Sequence, residues 1–318
     1  MQRPGGATRR VFFMGKWGHM MIKGLFALAA LAALAAPVAT QAREAAPCHV
    51  APAEREAALY DAAALAAAPA KLDALIACLA DPDTRARDDF AFTTLAKAMR
   101  SGGFPAALVQ RAHRQLLAML GDDRADAHGV RRPFAIIALA EVARYDRVNN
   151  LLTPAERRAL AATASTYLRG VTDYRGFVAG EGWRHGVAHG ADLMMQLALN
   201  PELHPDDAAQ MLGAIAVQVA PASGHSYVHG ESRRLTRPVL FLAVSGKVSD
   251  EQLAAFFQRL KPDDSPRWRE PYASLDGLAA LHNSRAFAMT LLVDAMRSKE
   301  LAVQRLEAPL IDLLRALP

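Results

Sequence analysis

Apolar residues recur at three- and four-residue spacing along almost the whole chain, and Pro, Gly, Asp and Asn break the runs at short intervals. This rhythm predicts helices near 52–67, 70–80, 83–100, 105–120, 131–146, 154–169, 181–199, 205–220, 231–245, 249–260, 272–297 and 300–316. Several carry start signals: Asp81-Pro82, Thr153-Pro154 followed by Glu156, and Ser249 followed by Gln252. No stretch alternates apolar and polar residues as a half-buried strand would. Helix pairs recurring every ~40 residues predict an all-α fold of stacked antiparallel pairs, a HEAT-like or irregular α-solenoid, with a compact helical bundle or toroid as the alternative.

Composition strengthens the helical reading. Hydrophobic residues make up 52% of the chain, enough for a sizeable core, while aromatic residues are only 7%, and Ala and Leu dominate over β-branched types. Residues 43–318 are expected to form a single all-helical domain, because the most loop-like interior stretches, 121–130 and 221–230, are too short to mark a boundary.

The charge balance points away from nucleic acid. The net charge of +5 is accounted for by Arg3, Arg9, Arg10, Lys16 and Lys23, which precede the first acid, so the remainder is formally neutral. A phosphate-binding face needs a basic excess that Arg131-Arg132 and Arg233-Arg234 do not supply.

Those basic residues lie in or just before a secretory leader. Met20-Met21-Ile22-Lys23 is followed by an apolar run from Gly24 to Ala36 and then by Pro37 to Ala42, with small residues at Thr40 and Ala42. Residues 1–42 therefore read as a signal peptide with an upstream extension, translation starting at Met20 or Met21, and cleavage leaving Arg43 first. The apolar run is shorter than the roughly 20 residues that span a bilayer, so no membrane anchor is expected after cleavage. The expected location is periplasmic or secreted. In such an oxidising compartment Cys48 and Cys78 are expected to pair; the alternative is a buried Cys78 and a free Cys48.

Unusual residues concentrate between Asp173 and Asp192. If 181–199 is one helix, Glu181, His185, His189 and Asp192 share an arc of roughly 80° and face one point, while Trp183 is buried on the opposite, apolar side. Two histidines one turn apart with flanking carboxylates are a ligand set for zinc or another divalent ion, and the same residues also fit a hydrogen-bonded structural cluster. The zincin pattern is absent, since Gly186, Val187 and Ala188 separate the histidines. A second patch runs from His225 to Arg234. In it Glu231 and Arg234 either pair with each other, or Glu231 or His229 reaches the first cluster across adjacent helices. No Gly-x-Ser-x-Gly elbow and no glycine-rich phosphate loop is present.

These residues carry a resemblance. Tyr174-Arg175-Gly176-Phe177, Gly182-Trp183-x-His185-x-x-x-His189-Gly190-Ala191-Asp192 and Glu231-x-x-Arg234-Leu235 resemble a bacterial family known as domain of unknown function 2785, with weaker echoes at Arg87-Asp88 and Arg132-x-Phe134. The resemblance implies a helical fold and a shared site around His185 and His189. One departure is that His229-Gly230 stands where an acidic residue is expected before Glu231. The site is expected to include Tyr174, Arg175, Glu181, Trp183, His185, His189, Asp192, His229, Glu231 and Arg234. Two functions follow as expectations: a helical-repeat protein that binds a peptide, protein or small molecule without a cofactor, or a hydrolase assisted by a divalent metal on Glu181, His185, His189 and Asp192.

Overall fold

The computed structural model describes residues 48–122 and 126–318; the expected leader, its cleavage point and the start codon lie outside them. The described chain is mostly helical. In order, its α-helices are α1 (Ala62–Ala67), α2 (Pro69–Cys78), α3 (Thr93–Arg100), α4 (Ala106–Leu120), α5 (Arg131–Asn149), α6 (Pro154–Arg169), α7 (Gly186–Ala198), α8 (Pro205–Val219), α9 (Glu231–Ser245), α10 (Asp250–Leu260), α11 (Pro266–Arg269), α12 (Leu275–Arg297), α13 (Leu301–Gln304) and α14 (Glu307–Ala316). Among these residues, no helix is long and apolar enough to cross a membrane.

Where the sequence carries a full start signal, the helix starts there. Thr153 and Glu156 form a capping box at α6, with Pro154 in the first turn, and Ser249 and Gln252 form another at α10. Asp81 is different. Its carboxylate accepts from the Cys48 and Asp83 amides, at 3.1 and 2.8 Å, so it ties down a turn and caps no helix. The expected 83–100 helix opens as a wide π turn over Arg85–Phe92 and tightens into α3, with the Thr93 hydroxyl donating to the Asp88 carbonyl at 2.8 Å.

The expected helix from 181 to 199 begins only at Gly186. Before it lies a two-stranded hairpin, β1 (Phe177–Val178) and β2 (Gly182–Trp183), with Phe177 opposite Trp183. Gly180, Gly182 and His185 have φ of 79°, 77° and 54°, and three left-handed residues within six positions are incompatible with a right-handed helix.

The α-helices α5, α7, α9 and α12 touch in succession, and α6, α8 and α10 do likewise, with α6 also against α7 and α8 against α9. One continuous core of Leu, Ile, Val and Ala runs through them. A buried ion pair locks the turn between α5 and α6: Arg157 Nε donates to Asp146 at 2.8 Å and its guanidinium also reaches the Asn150 side chain and the Leu152 carbonyl. Asn200, just past α7, donates to the same Asp146 at 2.7 Å. With two donors on each Asp146 oxygen, this carboxylate is held inside the protein without a stranded acceptor. At the other end Cys48 and Cys78 form a disulfide, which fastens the segment before α1 to the last residue of α2.

Candidate functional site

The hairpin sets the site. Trp183 lies in β2, ahead of α7 and not on its apolar face, and it is 38% exposed; the expected burial is corrected because the helix on which it was placed does not extend that far. Phe177, its partner across the hairpin, is 49% exposed and meets it at 5.2 Å between ring centres. The Trp183 ring also lies over His185 at 4.2 Å and meets His229 edge-on at 5.8 Å.

Arg87 holds this hairpin in place. Fully buried in the π turn, it donates to the Glu181 and Trp183 carbonyls, both at 3.4 Å, and to the Asp81 and Pro82 carbonyls, while pairing with Asp88 at 2.9 Å. Its guanidinium caps the Phe134 ring at 4.6 Å. Gly182 allows the approach, since a Cβ there would run into the Thr84 side chain.

The single-face arrangement of Glu181, His185, His189 and Asp192 is not found. Glu181 is in the hairpin and pairs with buried Arg184; His185 caps α7 in a left-handed conformation; Asp192 is buried against Arg234. Among the described residues, no three His, Cys, Asp or Glu side chains are placed to hold a metal ion, so the expected ligand set is not gathered. Nor do Glu231 and Arg234 pair with each other: α7 and α9 pack side by side, and Arg234 reaches across to Asp192. Burial pushes the Asp192 carboxyl upward, against the downward pull of Arg234.

What the structure does bring together is His185, His229 and Glu231. Glu231 opens α9 and is 2% exposed; one oxygen accepts the His229 amide at 2.9 Å. The other, Oε1, is buried without a hydrogen-bond partner, 3.9 Å from His229 Nδ1 and 4.0 Å from His185 Nε2. His229 Nδ1 is likewise buried and unpartnered. His185 Nε2 donates to the His229 carbonyl at 3.1 Å, which fixes its tautomer. Burial lowers the His185 pKa, against the upward pull of Glu231. His189, one turn on, donates Nδ1–H to the Pro133 carbonyl at 3.1 Å, packs edge-on to Phe134 and is driven by burial down to about 3. Burial thus favours the neutral form of both imidazoles.

Tyr174 and Arg175 frame the cluster from outside. Tyr174 stacks on His225 at 5.9 Å and packs on Tyr227, whose amide donates to buried Asn283. Arg175 pairs with Asp173, and its carbonyl accepts the His185 amide at 3.1 Å, which holds His185 in its strained backbone position. Residues the sequence reading left outside the site are Phe177, Arg87, Phe134 and Gly176, the last because any side chain there would overlap the His229 ring. Each lay within a stretch that carried the family resemblance, and that was their only signal.

An all-helical scaffold presenting an aromatic hairpin over a buried His–Glu cluster is the class that fold and site define. The family model described as protein of unknown function DUF2785 matches residues 116–293, more than half of the chain, and the chain belongs to that family. No curated protein and no solved structure matches it.

Proposed function

We propose that this is an exported protein of stacked helix pairs that binds a small molecule, or the end of a peptide, at the Trp183–His185–His229–Glu231 cluster. The observation that carries this reading is the pairing of two exposed aromatic rings with a buried, half-unpartnered carboxylate. Each feature disfavours folding: exposed Trp183 and Phe177 forgo burial, and an unpaired buried acid keeps its desolvation cost. Arg87, donating to the Glu181 and Trp183 carbonyls, holds the hairpin that carries the rings. A bound ligand that covers the rings compensates for both.

The hydrolase reading has less support, because Glu181 and Asp192, its intended metal ligands, are each occupied by an arginine. Export is supported by the leader pattern and by the Cys48–Cys78 disulfide, which suits an oxidising compartment. The stacked-pair reading rests on the succession of contacts from α5 to α12 and from α6 to α10.

Native mass spectrometry of protein recovered from a bacterial periplasm tests the binding reading. A small-molecule adduct is expected on the wild type and absent from Trp183→Ala and Glu231→Gln. A bare wild type, or an adduct that both variants retain, would sink it.

A further inference from the structure

We propose that the group recognised at this cluster is an organic cation, an alkylammonium head that lies on Trp183 and faces Glu231. The inference rests on the binding reading above and adds the chemistry of the ligand.

The distribution of charge is the first argument. Four acids border the hairpin and its histidines, and each has an arginine: Asp88 with Arg87, Asp173 with Arg175, Glu181 with Arg184 and Asp192 with Arg234. Glu231 has no arginine in ion-pair contact: His185 and His229 lie beside it, at 4.0 and 3.9 Å, and Arg234, one turn along α9, is taken by Asp192. Arg237 lies six residues along α9, about 9 Å by helical rise, and serves Asp192. Glu231 is thus the one acid of this group without an arginine in contact, and it is buried where water screens it poorly. An anion would meet that carboxylate, while Arg87, Arg175, Arg184 and Arg234 are each engaged by an acid of their own.

Ring geometry is the second argument. Trp183 meets Phe177 and His229 edge-to-face, at 64° and 88°, and lies over His185 at 4.2 Å, so three rings form a corner around one part-exposed indole. Such corners attract cations through the ring quadrupole and suit methylated ammonium groups, which have no N–H to satisfy. That fits Glu231, whose Oε1 is covered and acts through its field without a direct hydrogen bond.

Three probes of one shape separate charge from size: choline, its neutral carbon isostere 3,3-dimethylbutan-1-ol, and the anion 3,3-dimethylbutanoate. Each is titrated into the disulfide-intact protein by calorimetry, with Trp183 fluorescence followed against a Trp183→Phe blank. Choline is expected to bind about tenfold tighter than the alcohol, with the anion weakest. Glu231→Gln should erase the preference for choline, Glu231→Asp should keep most of it, and Trp183→Ala should abolish binding; a melting curve for each variant separates misfolding from lost recognition. Equal or tighter binding of the alcohol or the anion, or no saturable binding of choline, overturns the cation inference. If choline fails while the periplasmic adduct persists and still depends on Trp183 and Glu231, only this inference falls. Loss of both removes the site itself.

Discussion

Glu231, Trp183 and His189 respond differently to substitution because burial and partnership differ among them. Glu231→Gln keeps the acceptor for the His229 amide and removes a buried charge that has no cationic partner, so its melting temperature should match or exceed that of the wild type. Asp146→Asn is the contrast: it strands Arg157 inside the protein and should cost about 3–5 kcal/mol in denaturant unfolding. Trp183→Ala should cost well below the ~3–5 kcal/mol of a fully buried aromatic, since the residue is 38% exposed. His189 supplies a pH signature. Its folded pKa, about 3, lies below the ordinary value of 6.5, so the unfolded chain binds the proton first as pH falls. The associated stability is complete above about pH 6.5 and drains away toward pH 3. Thermal melts at pH 7 and pH 5 should therefore differ more for the wild type than for His189→Asn, and equal differences would contradict the burial of the imidazole.

At the scale of elements, the disulfide and the hairpin are the two features to perturb. Cys48 and Cys78 are separated by 30 positions, and closing a loop of that size restrains the unfolded chain by about 3–4 kcal/mol, so reduction should lower the denaturant midpoint with little change in slope. Gly182→Ala places a methyl against Thr84 at a φ of 77°, which should loosen the hairpin and alter Trp183 emission while leaving far-UV circular dichroism nearly unchanged. The contrast between these elements and α6 explains what was legible. At α6, Thr153-Pro154 and Glu156 state a start in local hydrogen bonds, and the helix follows. At 181–185 the periodicity reads as the start of a helix, because Glu181, His185 and His189 recur every four residues. What breaks it is a set of left-handed backbone angles at Gly180, Gly182 and His185, and the last of these is stabilised by the Arg175 carbonyl, a tertiary contact that no local pattern announces. The meeting of His185 with Glu231 depends likewise on α7 lying beside α9.

Across the whole molecule, the helical class, the family and the cysteine pairing were readable because each rests on composition, motif or chemistry carried by the residues themselves. The cluster was readable as a list of residues but not as a geometry, since the four-residue metal arc assumed one continuous helix. Export carries its own expectation. Protein recovered from the periplasm should begin at Arg43 on N-terminal sequencing, and an intact Gly24–Ala36 run found in membranes would refute the cleavage.

The smallness of the hairpin has a kinetic consequence. Each strand is two residues long, and beyond that pairing it is held by a few backbone hydrogen bonds, by Arg87 and Arg184, and by Trp183 against His185 and His229, whereas α5 and α7 lie within the continuous core. Amide protons of residues 177–185 should therefore exchange with deuterated solvent through a local opening, while those of α5 and α7 wait for global unfolding. A ligand lying across Trp183 closes that opening. Its occupancy is expected to be read as slowed exchange confined to the hairpin, which gives the site a clock of its own, separate from that of the scaffold that carries it.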